Sequence, residues 1–343
     1  MDDLDQVFDS LQTPEVLELA LKDDGYYEAH LDGRIARVVG RGLRYAKLLK
    51  EADQFAKAVL VSAEDPFTVV REGDAVQVRL GALGKHWQQV WGWEECVVPG
   101  MDVTEHLGLL RAMCDGLDRE VVMFPQRWSS VYGVLHAEML NNVVRRMRER
   151  GRSAEFHLAC QRRQERARLQ YYSTVDYLEG LFSRHQRLLV VRMDLAYRVR
   201  PTMAQAQADM KNFLDHQQGN KDLIGARVGH ICRLKCGADK GLHFHVVLLF
   251  NGYQVHKDAQ RGDLIGRYWS QVVTEGRGLY FSCNCKQAQY QFDGIGMVNW
   301  YTERKRRLLL HAVAFLCKKD ECLTPPESEG HVFYRGKMVM GFD

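Results

Sequence analysis

The chain has 343 residues, 46% of them apolar and 27% charged, with a net charge of +3. That balance excludes disordered and fibrous classes, and the length suffices for two domains. No apolar run reaches membrane-spanning length, and the opening M-D-D-L-D-Q-V lacks the basic and apolar regions of a signal peptide, so a cytoplasmic protein with no membrane partner is expected.

The charge is unevenly placed. Residues 1–32 hold ten acids and the single base Lys22, which leaves +12 on the remainder. An acidic end on a basic body fits a polyanion ligand, and it also fits plain solubilising charge. Nine cysteines in no tight framework fit free thiols in a reducing compartment. Cys232-x3-Cys236 and Cys283-x-Cys285 match no standard zinc spacing and read as buried thiols.

In chain order, Thr13-Pro14-Glu15 is a helix start, with Val16, Leu17, Leu19 and Ala20 as the apolar face. A second helix is predicted over 33–56, with Arg34, Arg37, Arg41, Arg44, Lys47 and Lys50 at helical spacing. Thr68-Val69-Val70 and Ala75–Leu80 read as a hairpin across Glu72-Gly73-Asp74, followed by Trp87, Trp91 and Trp93. A long helical pattern then covers 129–168, broken at Gly151, and arginines far outnumber acids in its second half. Arginine pairs well with phosphate, so Arg145, Arg146, Arg162 and Arg163 are candidate contacts to a nucleic-acid backbone. A solvated connecting helix is the other reading of that stretch. Residues 1–165 are thus expected to form a mostly helical accessory domain with a small β module and a basic helix.

The remainder, 166–343, alternates differently. Strands are predicted over 187–197, 226–234, 242–250 and 278–283. Helices are predicted from a Thr202 cap to near His216, over 264–273, and over 302–322, the last opening with Arg304-Lys305-Arg306-Arg307, a basic run that adds further candidate contacts to DNA. This order implies an α+β fold, a central antiparallel sheet with flanking helices. Within it, G-L-H-F-H-V-V-L-L-F-N-G over 241–252 reads as a buried strand on which His243 and His245 share a face. Two imidazoles so placed can share a metal ion; two hydrogen-bonded histidines at a sheet edge fit the same letters. With 13 histidines in the chain, chance supplies roughly half an H-x-H, so the motif alone does not decide.

Its neighbours add more. V-V-R-M-D-L in the first strand, K-G-L-H-F-H-V-V-L-L-F-N-G, F-L-C-K-K-D on the late helix and H-V-F-Y-R-G-K in the tail occur in that order. Over about 170–343 the chain resembles the HUH endonuclease superfamily, and more narrowly the replication-initiation proteins of filamentous phages and related prophages. The resemblance implies an HUH nickase core in which paired histidines and a third ligand hold Mg²⁺ or Mn²⁺ against the scissile phosphate of single-stranded or hairpin DNA. A tyrosine on the late helix then attacks phosphorus, giving a 5′-phosphotyrosyl link that can be rejoined during rolling-circle replication. A lysine one turn later stabilises the developing charge.

Carried over, His243 and His245 are the metal ligands and Lys318 is the lysine. Two positions depart from the pattern. The third-ligand glutamate, eight residues before the first histidine, is Lys235 here, and its ammonium repels a cation but suits a phosphate. The nucleophile position, three residues before Lys318, is Phe315, which has no hydroxyl. Tyr301 lies 14 residues before Phe315, about 21 Å away if the helix is continuous, and Tyr280 and Tyr290 fall outside that helix. Two functions therefore stay open: a nicking replication initiator, and a non-catalytic derivative that binds an origin or represses. An RNA-binding module is a third, since four-stranded sheets also stack bases. No P-loop motif is present, so any unwinding would need a host helicase.

Overall fold

In a computed structural model, the described residues are Leu4, Val7, 27–31, 34–38, 43–215, 225–237, 240–285, 294–317, 323–325 and 332–337. The chain divides into two compact units. One comprises Met1–Leu43, Glu165–Lys319 and Pro325–Asp343; the other comprises Arg44–Gln164 and Asp320–Thr324. Among the described residues no helix is long and apolar enough to cross a membrane.

The start of the chain corrects one expectation. Strands β1 (Tyr27–Leu31) and β2 (Arg34–Val38) pair antiparallel, with Leu31 opposite Arg34, and helix α1 begins only at Leu43 and runs to Val61. The predicted helix over 33–56 was therefore wrong in its first part. The intervening Asp32-Gly33 is a dipeptide that suits two-residue hairpins, and Ile35 and Val38 are β-branched. Evenly spaced arginines masked that signal. The predicted helix start at Thr13 lies outside the described residues.

The Arg44–Gln164 unit follows α1 with the expected hairpin, β3 (Phe67–Glu72) and β4 (Ala75–Leu80). Then come α2 (Ala82–Val90), the two-residue β5 (Asp102–Val103), α3 (Glu105–Cys114), α4 (Arg119–Met123) and α5 (His136–Gly151). Phe55, Trp87, Leu107, Leu110, Leu140 and Val144 are buried in it. Polar groups fix the geometry of this core. Thr104 caps α3 by accepting from Leu107 N (3.2 Å) and donates to Asp53 (2.5 Å), which Lys57 also approaches at 2.8 Å. Asn141 accepts from Phe67 N (3.1 Å) and donates to Phe67 O (2.7 Å), standing in for a neighbouring strand. The predicted helix over 129–168 splits into α5 and α6 (Ala154–Arg184), and its first residues are not helical, because Trp128 and Leu135 form a bridge. At Gly151 a Cβ would stand 2.4 Å from Leu60, so the glycine is required for close packing.

The other unit is built on β6 (Arg187–Tyr197), β7 (Arg227–Gly237) and β8 (Gly241–Asn251), with α7 (Met203–Asp215) between the first two. Thr202 caps α7 as expected, accepting from Gln205 N at 3.2 Å. After β8 come α8 (Asp258–Tyr268) with a π turn at Trp269–Val273, β9 (Gly278–Ser282), β10 (Gly296–Asn299), α9 (Glu303–Leu316) and, past β11 (Leu323–Thr324), which belongs to the Arg44–Gln164 unit and pairs with its β5, β12 (Phe333–Arg335). The sheet is antiparallel in the order β10-β6-β8-β7-β12, and β9 also pairs with β6. Because β8 covers one edge of β6, β10 and β9 lie end to end along the other. Helices cover both faces of this sheet. Tyr177, Leu178, Leu181 and Phe182 of α6 and Leu309, Val313 and Leu316 of α9 pack on Leu188, Val190, Ile231, Val247 and Leu249. Phe244, on the opposite face of β8, packs its ring 6.2 Å from Trp269.

The molecule is therefore mixed α/β, with antiparallel sheets flanked by helices. Helix α9 stops at Leu316, short of the predicted 322, where Cys317 N–H bonds back to Ala314 O and Val313 O. The eight cysteines among the described residues are thiols outside any disulfide, and burial pushes that of Cys232 up to about 12.

Candidate functional site

The face of the sheet beneath α6 and α9 changes character along one line. Each strand is apolar at one end and ionisable at the other: Leu188 and Val190 give way to Arg192 and Asp194, Leu249 and Val247 to His245 and His243, Ile231 to Arg233 and Lys235. Register aligns these switches. Asp194 and Arg233 stand on either side of His245, and Lys235 stands beside His243. Residues directly opposite on antiparallel strands share a face, so six polar side chains form one tier across three strands.

Both imidazoles are held in one tautomer. His245 Nδ1 lies 2.7 Å from Asp194 Oδ1, and His243 Nδ1 lies 2.9 Å from Gly241 O. A carboxylate and a carbonyl only accept, so each Nδ1 carries a hydrogen, and in neutral His243 Nε2 holds the lone pair. The rings are 5.1 Å apart at 76°. Nε2 of His243 is buried with no hydrogen-bond partner among the described residues. Burial, reinforced by the charges of Lys240 and His245, pulls the His243 pKa down to about 3, so this ring is neutral at physiological pH. Burial opposes ionisation of Asp194, but His245, Lys240 and Arg192 outweigh it and hold the carboxyl well below the usual range.

Phe315 reaches this tier from α9. Its ring meets His245 edge-on, with centroids 6.4 Å apart at 89°. Lys235 Nζ lies 4.6 Å from the Phe315 centroid and Arg192 Cζ lies 5.7 Å from it. Phe315 thus stands between two cations and beside a histidine. A small pocket next to the tier is lined by Asp194, Ala196, Lys240, His243, Leu279, Tyr280 and Phe281. Tyr280 is not available for chemistry there, since its hydroxyl donates to Asp263 at 2.7 Å.

Searches against family models, curated proteins and solved structures found no match.

The structure thus brings together His243, His245, Lys235 and Phe315, and it adds Asp194, Arg192 and Lys240, which stood out less in the sequence. Asp194 was visible in V-V-R-M-D-L, but its partner was fixed only by the β6–β8 register. Lys318 lies outside the described residues. The arginine candidates are elsewhere. In the Arg44–Gln164 unit Arg145 pairs with Asp65 and Arg163 with Glu105 (2.7 Å), while Arg146 and Arg162 are exposed. Arg304, Lys305, Arg306 and Arg307 occupy the start of α9, with Arg306 paired to Glu179. Eleven helical residues, about 16 Å, separate Arg304 from Phe315. Among the described residues no group of three or more His, Cys, Asp or Glu is placed to hold a metal ion.

Proposed function

We propose that this is a DNA-binding protein of the replication-initiator type, in which an HUH-like tier of residues holds single-stranded or hairpin DNA without cutting it. The observation that carries the reading is Phe315. The side chain at the nucleophile position of the resemblance packs against His245 and has no hydroxyl with which to attack phosphorus. Around it, Lys235, Arg192 and Lys240 supply positive charge that suits a phosphodiester. An origin hairpin or an operator is the corresponding ligand, and unwinding falls to a host helicase.

The residues present do not fit Mg²⁺ or Mn²⁺. Two imidazoles are too few and too soft for a hard cation, Asp194 is engaged with His245, and the ammonium of Lys235 stands beside His243. Tyr290 lies outside the described residues, and neither Tyr301 nor Tyr280 replaces the missing hydroxyl. Tyr301 follows β10 at the Arg187 end of β6, about 23 Å along the strand from Asp194. Tyr280 is tied to Asp263.

The test is a labelled single-stranded oligonucleotide followed by anisotropy across a salt series and by denaturing gel. The expected result is tight binding at low salt, with a slope of about −0.7 in log affinity per phosphate contacted. No DNA should stay attached to the protein after denaturation. Neither Phe315→Tyr nor Lys235→Glu alone should give a covalent band, and together they should give a DNA-linked band that requires Mn²⁺. A covalent band from the unmodified protein, or no binding at low salt, would overturn the proposal.

A further inference from the structure

The opposite end of the same sheet carries a surface of another kind. At the start of β6, Arg187 pairs with Asn299 of β10, and Leu188 pairs with Asn251 of β8. The turns leaving those two strands are fastened to one corner, because Gly252 N–H donates to Arg187 O (2.8 Å) and Trp300 N–H donates to Gln186 O (2.9 Å). These turns carry Tyr253, Trp300 and Tyr301, which are 63%, 49% and 70% exposed. Single exposed aromatics are common; three at one corner of a sheet form a patch. Trp300 and Tyr301 stand at 87° with centroids 6.3 Å apart, so they offer two ring faces in different directions.

Cations surround this patch. Arg184 and Arg304 are exposed, as is Arg307, one turn after Arg304 on α9. The Nε of Arg187 is buried with no hydrogen-bond partner among the described residues. Arg306 plays a different part, since it bonds Glu179 and donates to Trp300 O at 3.2 Å, pinning the aromatic turn to α9. The first turn of a helix is the place its dipole least favours cations, and Glu303 is the one acid there. The helix dipole therefore does not account for Arg304, whereas Arg307 stands four residues after Glu303.

We infer that this corner is a second contact for single-stranded nucleic acid, in which bases stack on Trp300, Tyr301 and Tyr253 and phosphates meet Arg304, Arg307 and Arg184. It lies at the far end of β6 from the paired histidines, about 23 Å along the strand. Aromatic faces bordered by arginines suit an unpaired strand, whose bases expose their faces and whose backbone is anionic. The inference rests on the DNA-binding reading above and extends it to a separate surface.

The experiment uses the full chain and a fluorescein-labelled oligo-dT, with affinity measured by anisotropy at several salt concentrations. Trp300→Ala with Tyr301→Ala should weaken binding at least about ten-fold while leaving the salt slope unchanged, because stacking releases no counterions. Trp300→Phe should retain most of the affinity. Arg304→Ser with Arg307→Ser should make the slope about 1.4 less steep. That second pair keeps the test open should the aromatic variant fold poorly. If the unmodified protein binds and both pairs bind within two-fold of it, with its slope, the inference falls and the DNA-binding reading stands. If the unmodified protein does not bind, both fall together. Should the aromatic pair instead reduce self-association in sedimentation without changing DNA affinity, the corner is a protein interface and the inference is overturned.

Discussion

Two arginine-rich stretches look alike in the sequence, and their surroundings set them apart. Over 145–163, Arg145, Arg148 and Arg163 are met by acceptors of their own unit, whereas Arg146, Arg150, Arg152 and Arg162 are exposed. Arg145 and Arg148 both reach Asp65, Arg148 also bonds Val59 O (3.1 Å) and Glu64 O, and Arg163 grips Glu105 while bonding Val103 O (3.0 Å). Over 304–307 the arginines sit beside exposed aromatic rings, with Arg306 paired to Glu179. Arg145, Arg148 and Arg163 are thus part of how a unit folds, whereas Arg304 and Arg307 are exposed next to aromatic rings. A count of basic residues cannot make that distinction, because the neutralising acceptors lie some 60 to 90 positions away in the chain.

The largest expected effect is at Arg148. Its side chain is only 8% exposed and bonds two backbone carbonyls besides Asp65. Arg148→Met should cost about 3 to 5 kcal/mol, because those acceptors are left without their partner. The loss should show as a lowered urea midpoint for the Arg44–Gln164 unit. Arg304→Ser with Arg307→Ser should stay within about 0.5 kcal/mol of the parent. Equal midpoints for the two variants would remove the distinction between the stretches.

The same distinction explains what could be read from the letters. Where one strand's own pattern decides, the reading held: β6 spans 187–197 as expected, the β3–β4 hairpin turns where Gly73 allows a positive φ of 59°, and Thr202 caps α7. β10 and β12, of four and three residues, were not read, since runs that short carry no periodicity and exist only through their partners β6 and β7. At the site, alternation placed His243 and His245 on one face, and the family resemblance drew attention to Lys235 and Phe315. It could not show that Asp194 orients His245, or that Lys235 and Arg192 flank the Phe315 ring, because those contacts depend on strand register and helix packing. The Arg34–Val38 strand was misread for the converse reason: a basic stripe with helical spacing ran through it and outweighed the Asp32-Gly33 turn signal.

Acid should separate the two units next. In the sheet-bearing unit, burial and the nearby Arg227 lower the pKa of His230 from 6.5 to about 4. The folded state keeps this ring neutral, so the unfolded chain binds the extra proton between those values. Its contribution is therefore whole above about pH 6.5 and is lost as pH falls toward 4, reaching about 3 kcal/mol at most. In the Arg44–Gln164 unit, burial raises the Asp53 pKa, but Lys57 and Thr104 outweigh it and the net shift is downward from 3.8. That contribution is whole above about pH 4 and is lost only as pH falls through the depressed value. Urea midpoints between pH 7 and 4.5 should fall for the sheet-bearing unit in the parent and fall less in His230→Gln. The part attributed to Asp53 should remain constant across that range. An identical pH slope in parent and His230→Gln would show that His230 titrates alike in both states.

The smallest effect lies within the first stretch itself, where neighbours should behave oppositely. Arg145 and Arg163 are paired with Asp65 and Glu105, whereas Arg146 and Arg162 are exposed one residue away on α5 and α6. Arg163 and Glu105 are each 19% exposed, a partly desolvated pair held by both guanidinium and backbone bonds, so Arg163→Ala should cost about 1 to 2 kcal/mol. Arg145 is more exposed and should contribute less. Arg146→Ala with Arg162→Ala should leave the urea midpoint within about 0.5 kcal/mol. If these two side chains meet phosphate, that same variant should make the salt dependence of oligonucleotide binding up to about 1.4 less steep. A slope that changes with Arg163→Ala but not with Arg146→Ala and Arg162→Ala would reverse the assignment. It would mean that the Glu105 pair opens to take the ligand, and that paired and exposed arginines here are not two classes.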